Sequence, residues 1–420
     1  MDAGTSITVA KHVLVVFCEI LAVGTIGAFV AQKVRIPDVV VFLLVGMLLG
    51  PGIAGQVLGS GAPGVIDVRA DSALNQLILI FGACYILFDG GASLRLRVLK
   101  EVWITILVIS TLGVVITAVL TGLIAHLVLG VPMIVALLLG ATLASTDPAT
   151  LVPVFKQVRI RDRVAQTVMS ESAFNDAMGA ILTFVILAIA TGQGAFSLAE
   201  TLTALFEEAA IGILTGGILG YLAAWLIAHE RFDYLAEYAP VVTLMTVIGA
   251  YMTADELHAS GFMAVFVFGI LLGNKELFGF AMEPREGEAL EHFILTTSFI
   301  MRMFIFILLG SQVDFDLMGR YLLGGMLVIT LFMLLVRPLT VFVCAAPDRR
   351  ARWTRNELLF MCWTRETGVI PAALAGILLG LDAPMADMIA AVTFIAVLMT
   401  ILIQATTTQW LGARLGLLER

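Results

Sequence analysis

Apolar runs of about 20 residues recur along this chain from residue 13 to residue 409. Lipid offers no hydrogen-bond partner to a bare N–H or C=O, so a run of that length crosses a bilayer as a helix. Strands of an outer-membrane barrel are only about 10 residues long and alternate in polarity. Composition agrees: 60% of the 420 residues are hydrophobic and 13% charged, whereas a soluble domain carries about 25% charged residues. The 39 glycines suit helices packed closely in lipid. The fold class is therefore an all-α polytopic membrane protein, with the bilayer as its surroundings and no feature that calls for a nucleic acid.

Thirteen spans are expected, near residues 12–32, 38–58, 74–90, 102–128, 132–155, 164–190, 208–228, 238–253, 259–273, 293–311, 321–345, 356–380 and 385–410. Assigning the connections to alternate sides puts 18 lysines and arginines on one side and 3 on the other. Lys156, Arg159, Arg161 and Arg163 form one basic loop; Arg349, Arg350, Arg352 and Arg355 form another. By the positive-inside rule the rich side is cytoplasmic. The N-terminus is then outside and the C-terminus in the cytoplasm of a multi-pass cell-membrane protein. The first apolar run has no positive start and no clear cleavage site, so it reads as a span and not a signal peptide. About ten residues follow the last span, leaving no soluble regulatory domain in this chain. Cys18, Cys84, Cys344 and Cys362 all fall inside spans and show no zinc-type spacing. The five histidines lie near span ends.

Residues 41–50 (VFLLVGMLLG) resemble residues 264–273 (AVFVFGILLG), with Gly-x-Leu-Leu-Gly closing both. Span 3 ends in Phe88-Asp89-Gly90-Gly91, and span 10 in Leu309-Gly310-Ser311-Gln312. Each match is offset by seven spans, and an odd offset reverses direction in the membrane. Residues 1–420 then form a single membrane transport domain. It holds a first repeat at 12–190 (spans 1–6), a linker span at 208–228 and an inverted second repeat at 238–410 (spans 8–13). Inverted repeats are a hallmark of secondary transporters, whose sites lie where discontinuous helices of the two repeats meet. Asp147-Pro148 interrupts span 5, and its mate, span 12, is interrupted at Thr364-Arg365-Glu366-Thr367-Gly368 before Pro371. The two broken helices are expected to cross at mid-membrane.

Two runs place carboxylates inside these spans: Ser145-Thr146-Asp147-Pro148-Ala149 and Ser170-Glu171-Ser172-Ala173-Phe174-Asn175-Asp176. An ionised acid at membrane depth faces the protein interior or a water-filled cavity. At about 1.5 Å per residue, Asp147 lies roughly 22 Å from one surface and Asp176 roughly 18 Å from the other. Ser172 and Asp176 share a helical face, expected to meet Thr146 and Asp147 around a cation, because hard cations take oxygen ligands. Glu171 and Asn175 are expected to face another helix, where Arg337 of span 11 neutralises Glu171. Asp89 suits an entry funnel or a solvated helix end equally. Glu19 reads as interfacial, Arg302 has no evident partner, and the Arg365-Glu366 pair is assigned to the span 12 break.

The combination of Thr146-Asp147-Pro148 with Glu171-Ser172-x-x-Asn175-Asp176 resembles the NhaP-type sodium/proton antiporters, within the cation/proton antiporter superfamily. The resemblance covers the whole chain. It implies a homodimer in which a core of spans 4–6 and 11–13 moves against a dimerisation domain formed by the rest. Asp176 is then the essential acid, Asp147, Ser172 and Thr146 complete the Na+ shell, and Glu171 pairs with Arg337. One departure is visible: where the family commonly reads Gly-Leu-Arg-Gly, this chain reads Arg365-Glu366-Thr367-Gly368.

The function this implies is exchange of cytoplasmic Na+ or Li+ for H+ by alternating, elevator-like access, with no cofactor and no enzymatic reaction. Asn175 has no proton to give, whereas relatives with two adjacent aspartates are electrogenic, so one-for-one electroneutral exchange is expected. A K+/H+ antiporter of the same fold stays open, since shell geometry decides between the two ions. A cation channel lacks its repeated pore loop here. An intramembrane protease has two candidate acids but no Gly-x-Gly-Asp run.

Overall fold

The computed structural model describes residues 3–34, 36–58, 64–68, 72–146, 155, 160–192, 198–228 and 233–418. Among them the regular structure is helical, apart from one isolated antiparallel bridge between Ile160 and Leu418. Asp147, Pro148 and the basic residues Lys156 and Arg159 lie outside the described residues. Helices occur in all thirteen expected spans, and nine described helices are long and apolar enough to cross a membrane.

Span 1 is Ala3–Val34 and span 2 is Asp38–Leu49, followed by a π-type turn at Pro51–Gly55. Span 3 is Ala73–Ala92 and span 4 Leu96–Leu129. Spans 6 and 7 are Asp162–Ala190 and Leu198–Ala228. Spans 8, 9 and 10 are Ala239–Glu256, Gly261–Gly273 and Pro284–Ser311. Span 11 runs as Phe315–Leu331, a π turn at Phe332–Val336, and Arg337–Cys344. Span 13 is Ala386–Met399, a π turn at Thr400–Ala405, and Thr406–Arg414. Span 5 begins as Met133–Thr142, and span 12 is Arg355–Trp363 followed by Val369–Gly380.

Local chemistry sets several of these boundaries. Ser72, Ser260 and Asp314 each accept from the amide three residues on and so cap spans 3, 9 and 11. Thr354 and Glu357 form a reciprocal capping box at the start of span 12. Gly130, at φ 66°, closes span 4 in the left-handed region, and Pro132 starts span 5 two residues later. Pro338 offers no N–H and would clash with the preceding turn; the π turn of span 11 absorbs that conflict and precedes Arg337.

Glycine patterning decides which helices touch by backbone. Gly46 and Gly50 of span 2 lie so close to Ile307, Gly310 and Ser311 of span 10 that a Cβ would strike main-chain atoms. Gly269 and Gly273 of span 9 stand in the same relation to Phe88 and Ala92 of span 3. With span 2 aligned on span 9 and span 3 on span 10, these are one contact made twice.

At the end rich in arginine, four elements are tied together. Thr105 of span 4 donates to Asp348 Oδ2 at 2.6 Å and accepts from Trp353 Nε1 at 2.8 Å. The amides of Arg350 and Ala351 donate to Asp348 Oδ1. Arg163, at the start of span 6, lies 4.4 Å over the Trp353 ring and 3.4 Å from the buried Glu357 carboxylate of span 12. Burial opposes ionisation of Asp348, but the Thr105 hydroxyl and the two amides outweigh it and hold its carboxyl below the ordinary range. A depressed acid stabilises the fold above its unfolded-state value of about 3.9. That stability is lost as pH falls through the folded value. Asp348→Asn is therefore expected to lower the melting temperature in detergent at neutral pH, with the gap to the parent closing as the medium is acidified below pH 4. A gap that persists undiminished at pH 3 would refute this account.

Candidate cation-binding site

Both breaks are built by the local sequence. Span 5 begins as the helix Met133–Thr142; Leu143 and Ala144 turn, and Ser145 and Thr146 leave the helix. Span 12 is helical over Arg355–Trp363, opens at residues 364–368 and resumes at Val369–Gly380. Pro371 falls in the first turn of the second half-helix, where a missing N–H costs nothing. The open stretch is held by span 13: Thr400 Oγ1 accepts from the Thr367 amide at 3.0 Å, and Trp363 Nε1 donates to Thr407 at 2.8 Å. The two breaks meet, because Arg365 Nη2 donates to the carbonyl of Ala144.

Span 6 presents one polar face to the break of span 5. The Ser145 hydroxyl donates to Asp176 Oδ1. Thr146 Oγ1 lies 2.8 Å from Ser172 Oγ and 3.0 Å from Asn175 Oδ1, and the Thr146 amide donates to Asn175 Oδ1 at 3.0 Å. Gly179 continues this face and lets Ser145 pack against the helix backbone. All five polar side chains are buried. The set offers three hydroxyls, an amide oxygen and one carboxylate, all hard oxygen donors suited to a small cation. A proton and a cation cannot both neutralise the same carboxylate oxygens, so the arrangement makes them compete.

Glu171 points the other way. Its carboxylate receives Arg337 Nη1 at 2.5 Å and Nη2 at 2.9 Å, while Arg337 Nε donates to the Met361 carbonyl of span 12 at 3.0 Å. Glu171 and Arg337 are 2% and 1% exposed, so this two-pronged pair ties spans 6, 11 and 12 without help from water.

Thr146, Ser172 and Asp176 thus come together, Asp147 lies outside the described residues, and Glu171 meets Arg337. The expected grouping of Asn175 with that ion pair needs correcting. Residues 172, 175, 176 and 179 follow i, i+3, i+4, i+7 spacing and share one face, so Asn175 serves Thr146. Ser145 was not among the expected ligands; its place in the Ser-Thr-Asp run, with Gly179 opposite, was the available signal. Arg302 has a partner after all, Asp38 at 3.6 Å. Asp89 is buried beside a cavity of about 290 Å³ that Lys275 and Glu291 also line.

Broken helices that meet around a buried carboxylate, within a bundle of membrane-crossing helices, define an ion-handling transport protein. The chain belongs to the sodium/hydrogen exchanger family, whose transmembrane model matches residues 20–414. It is 33% identical over 366 residues to Na(+)/H(+) antiporter 1 of Methanocaldococcus jannaschii, covering 84% of this chain and 80% of that one. The antiporter ApNhaP of Aphanothece halophytica is 28% identical, covering 97% and 75%. The solved structure of the M. jannaschii sodium proton antiporter MjNhaP1 at pH 8 superposes with a TM-score of 0.76 at 29% identity, over 95% of this chain and 97% of that one.

Replacing one partner of the Glu171–Arg337 pair strands a buried charge, at a cost of about 3–5 kcal/mol. Glu171→Gln and Arg337→Ala are each expected to lower thermal stability in detergent more than Ser172→Ala does, and the double variant should recover part of the loss. Strictly additive losses would show that the two residues do not act as a pair.

Proposed function

We propose that this protein is a secondary active antiporter that exchanges Na+ or Li+ for H+ across the cell membrane. The observation that carries the reading is the buried Asp176 carboxylate, ringed by hydroxyl and amide oxygens where the two helix breaks meet. The relatives named as Na+/H+ antiporters support the choice of ion. Relatives named as K+/H+ antiporters, at 27–28% identity, keep K+ as the second reading.

In this reading Asp176 carries the exchanged proton, and the cation sits among Asp176, Ser172, Thr146 and Asp147. Glu171 with Arg337 holds the helices in register, and Asn175 fixes Thr146. No cofactor enters, and nothing is chemically transformed. The two inverted repeats, 12–190 and 238–410, are supported by the twice-made glycine contact. Spans 4–6 and 11–13 form the moving core, and the remaining spans form the dimerisation domain of a homodimer. The arginine-rich end is cytoplasmic, which puts the N-terminus outside.

The alternating-access reading draws support from one cavity and one ring contact. A cavity of about 510 Å³ reaches Ala180, one helical turn beyond Asp176, and is also lined by Glu208, Asp255 and His258. On the arginine-rich side, Phe174 of span 6 packs edge-on against Phe266 of span 9, with ring centroids 5.6 Å apart. In this reading the cavity is the outer access route to the exchange site. A bound proton or cation neutralises the core and lets it cross; the empty, charged core crosses poorly.

Asp176→Asn should abolish Na+-driven proton flux in proteoliposomes while the protein still folds and dimerises; near-normal flux would overturn the proposal. Transport should also be indifferent to membrane potential, because one cation replaces one proton. The check is flux with the potential clamped by potassium and valinomycin, once K+ has been shown not to be transported. A rate or end point that follows the imposed potential would mean net charge moves.

A further inference from the structure

Arg365 has no task in the exchange described above. It lies in the span 12 break at 2% exposure. Its guanidinium carbon stands 4.9 Å over the ring of Phe332 in span 11, and Nη2 donates to the Ala144 carbonyl in the span 5 break. Nε and Nη1 are buried with no hydrogen-bond partner among the described residues. Ala144 immediately precedes Ser145, whose hydroxyl donates to Asp176. A guanidinium charge is therefore held beside the ligand set, on the carbonyl next to the residue that donates to Asp176. Glu366, fully buried, is the next residue in the same break.

Two tasks are conceivable for such a side chain. One is to satisfy the last carbonyls of a half-helix, which takes a donor but not a charge. The other is to act on a bound cation through space, which takes a charge but not a particular donor. The surroundings favour the second. One N–H would serve Ala144, yet two further nitrogens lie desolvated and without a partner among the described residues, a cost that a neutral donor avoids. A transported ion must also bind weakly enough to leave, and a shell with buried carboxylates holds a small cation tightly unless something opposes it.

We propose that Arg365 is the fixed positive charge that limits how tightly the exchange site holds its cation, with Glu366 beside it acting in the opposite sense. The inference rests on the reading of Asp176 as the cation-binding carboxylate. Among the described residues Arg365 contacts Ala144 and Phe332 and none of the ligands; it sets their affinity from the neighbouring break.

The test is proton flux in proteoliposomes as a function of Na+ and of Li+ concentration. Arg365→Gln keeps a donor for Ala144 and removes the charge; Arg365→Lys keeps the charge. The Gln variant should lower the apparent KM for both ions about three- to tenfold, the range of a modest electrostatic coupling, and lower the maximal rate. The Lys variant should stay near the parent KM. Glu366→Gln should raise KM. A KM that is unchanged or raised in Arg365→Gln, or Lys and Gln variants that behave alike, would overturn the inference. If Arg365→Gln does not fold, Glu366→Gln decides: a raised KM supports the proposal, and an unchanged or lowered one refutes it. Asp176→Asn separates the two levels. If that variant still exchanges ions, the underlying reading fails. If it is inactive while Arg365→Gln and Glu366→Gln move KM in the same direction, only the role of Arg365 falls.

Discussion

The bidentate contact between Arg337 and Glu171 is the interaction on which the centre of this protein depends. Moving charges out of water is expensive, and their mutual attraction repays it only with good geometry and satisfied leftover valences. The geometry is good here, since the guanidinium meets two carboxylate oxygens and gives its Nε–H to the Met361 carbonyl. The pair fixes span 6 against spans 11 and 12. With that rotation set, residues 172, 175, 176 and 179 turn toward the break of span 5. Asp176 owes its place to a neighbour that points away from it.

Much of this was legible in the sequence. Spans follow from apolar length, since lipid leaves a helix no alternative. The breaks follow from Pro148 and from the polar stretch before Pro371. Asp176 stands out because an acid in hydrocarbon demands a reason. Other features depend on rotation and distance, which a linear pattern does not carry. Counting in steps of four set Asn175 apart from Ser172, yet a three-residue step is just as close on a helix, and Thr146 claimed it. Ser145 joined the site because Gly179 removed the side chain that would have kept it away. Arg302 found Asp38 across 264 positions of sequence, a pairing that only the parallel course of spans 2 and 10 explains.

The breaks show how irregular backbone survives at membrane depth. Freed carbonyls and amides find partners inside the protein: Ala144 in Arg365, and Thr367 in Thr400. The Ser145 hydroxyl released alongside them is turned toward the acid, and that of Thr146 toward Ser172 and Asn175. Opening a helix thus does two things together, freeing side-chain oxygens to turn inward and creating backbone vacancies that neighbouring spans must fill. Span 13 contributes through its π turn at Thr400–Ala405, where Thr400 reaches the opened segment.

The glycine contacts of span 2 with span 10, and of span 9 with span 3, carry a mechanical consequence. Where main chain meets main chain there are no rotamers to exchange, and sliding by even part of a turn would drive backbone atoms into each other. These two seams behave as welds. The Phe174–Phe266 contact is of another kind: two rings, edge on face, able to part and close again with only side-chain rearrangement. The molecule therefore contains both a contact that can yield and a frame that does not.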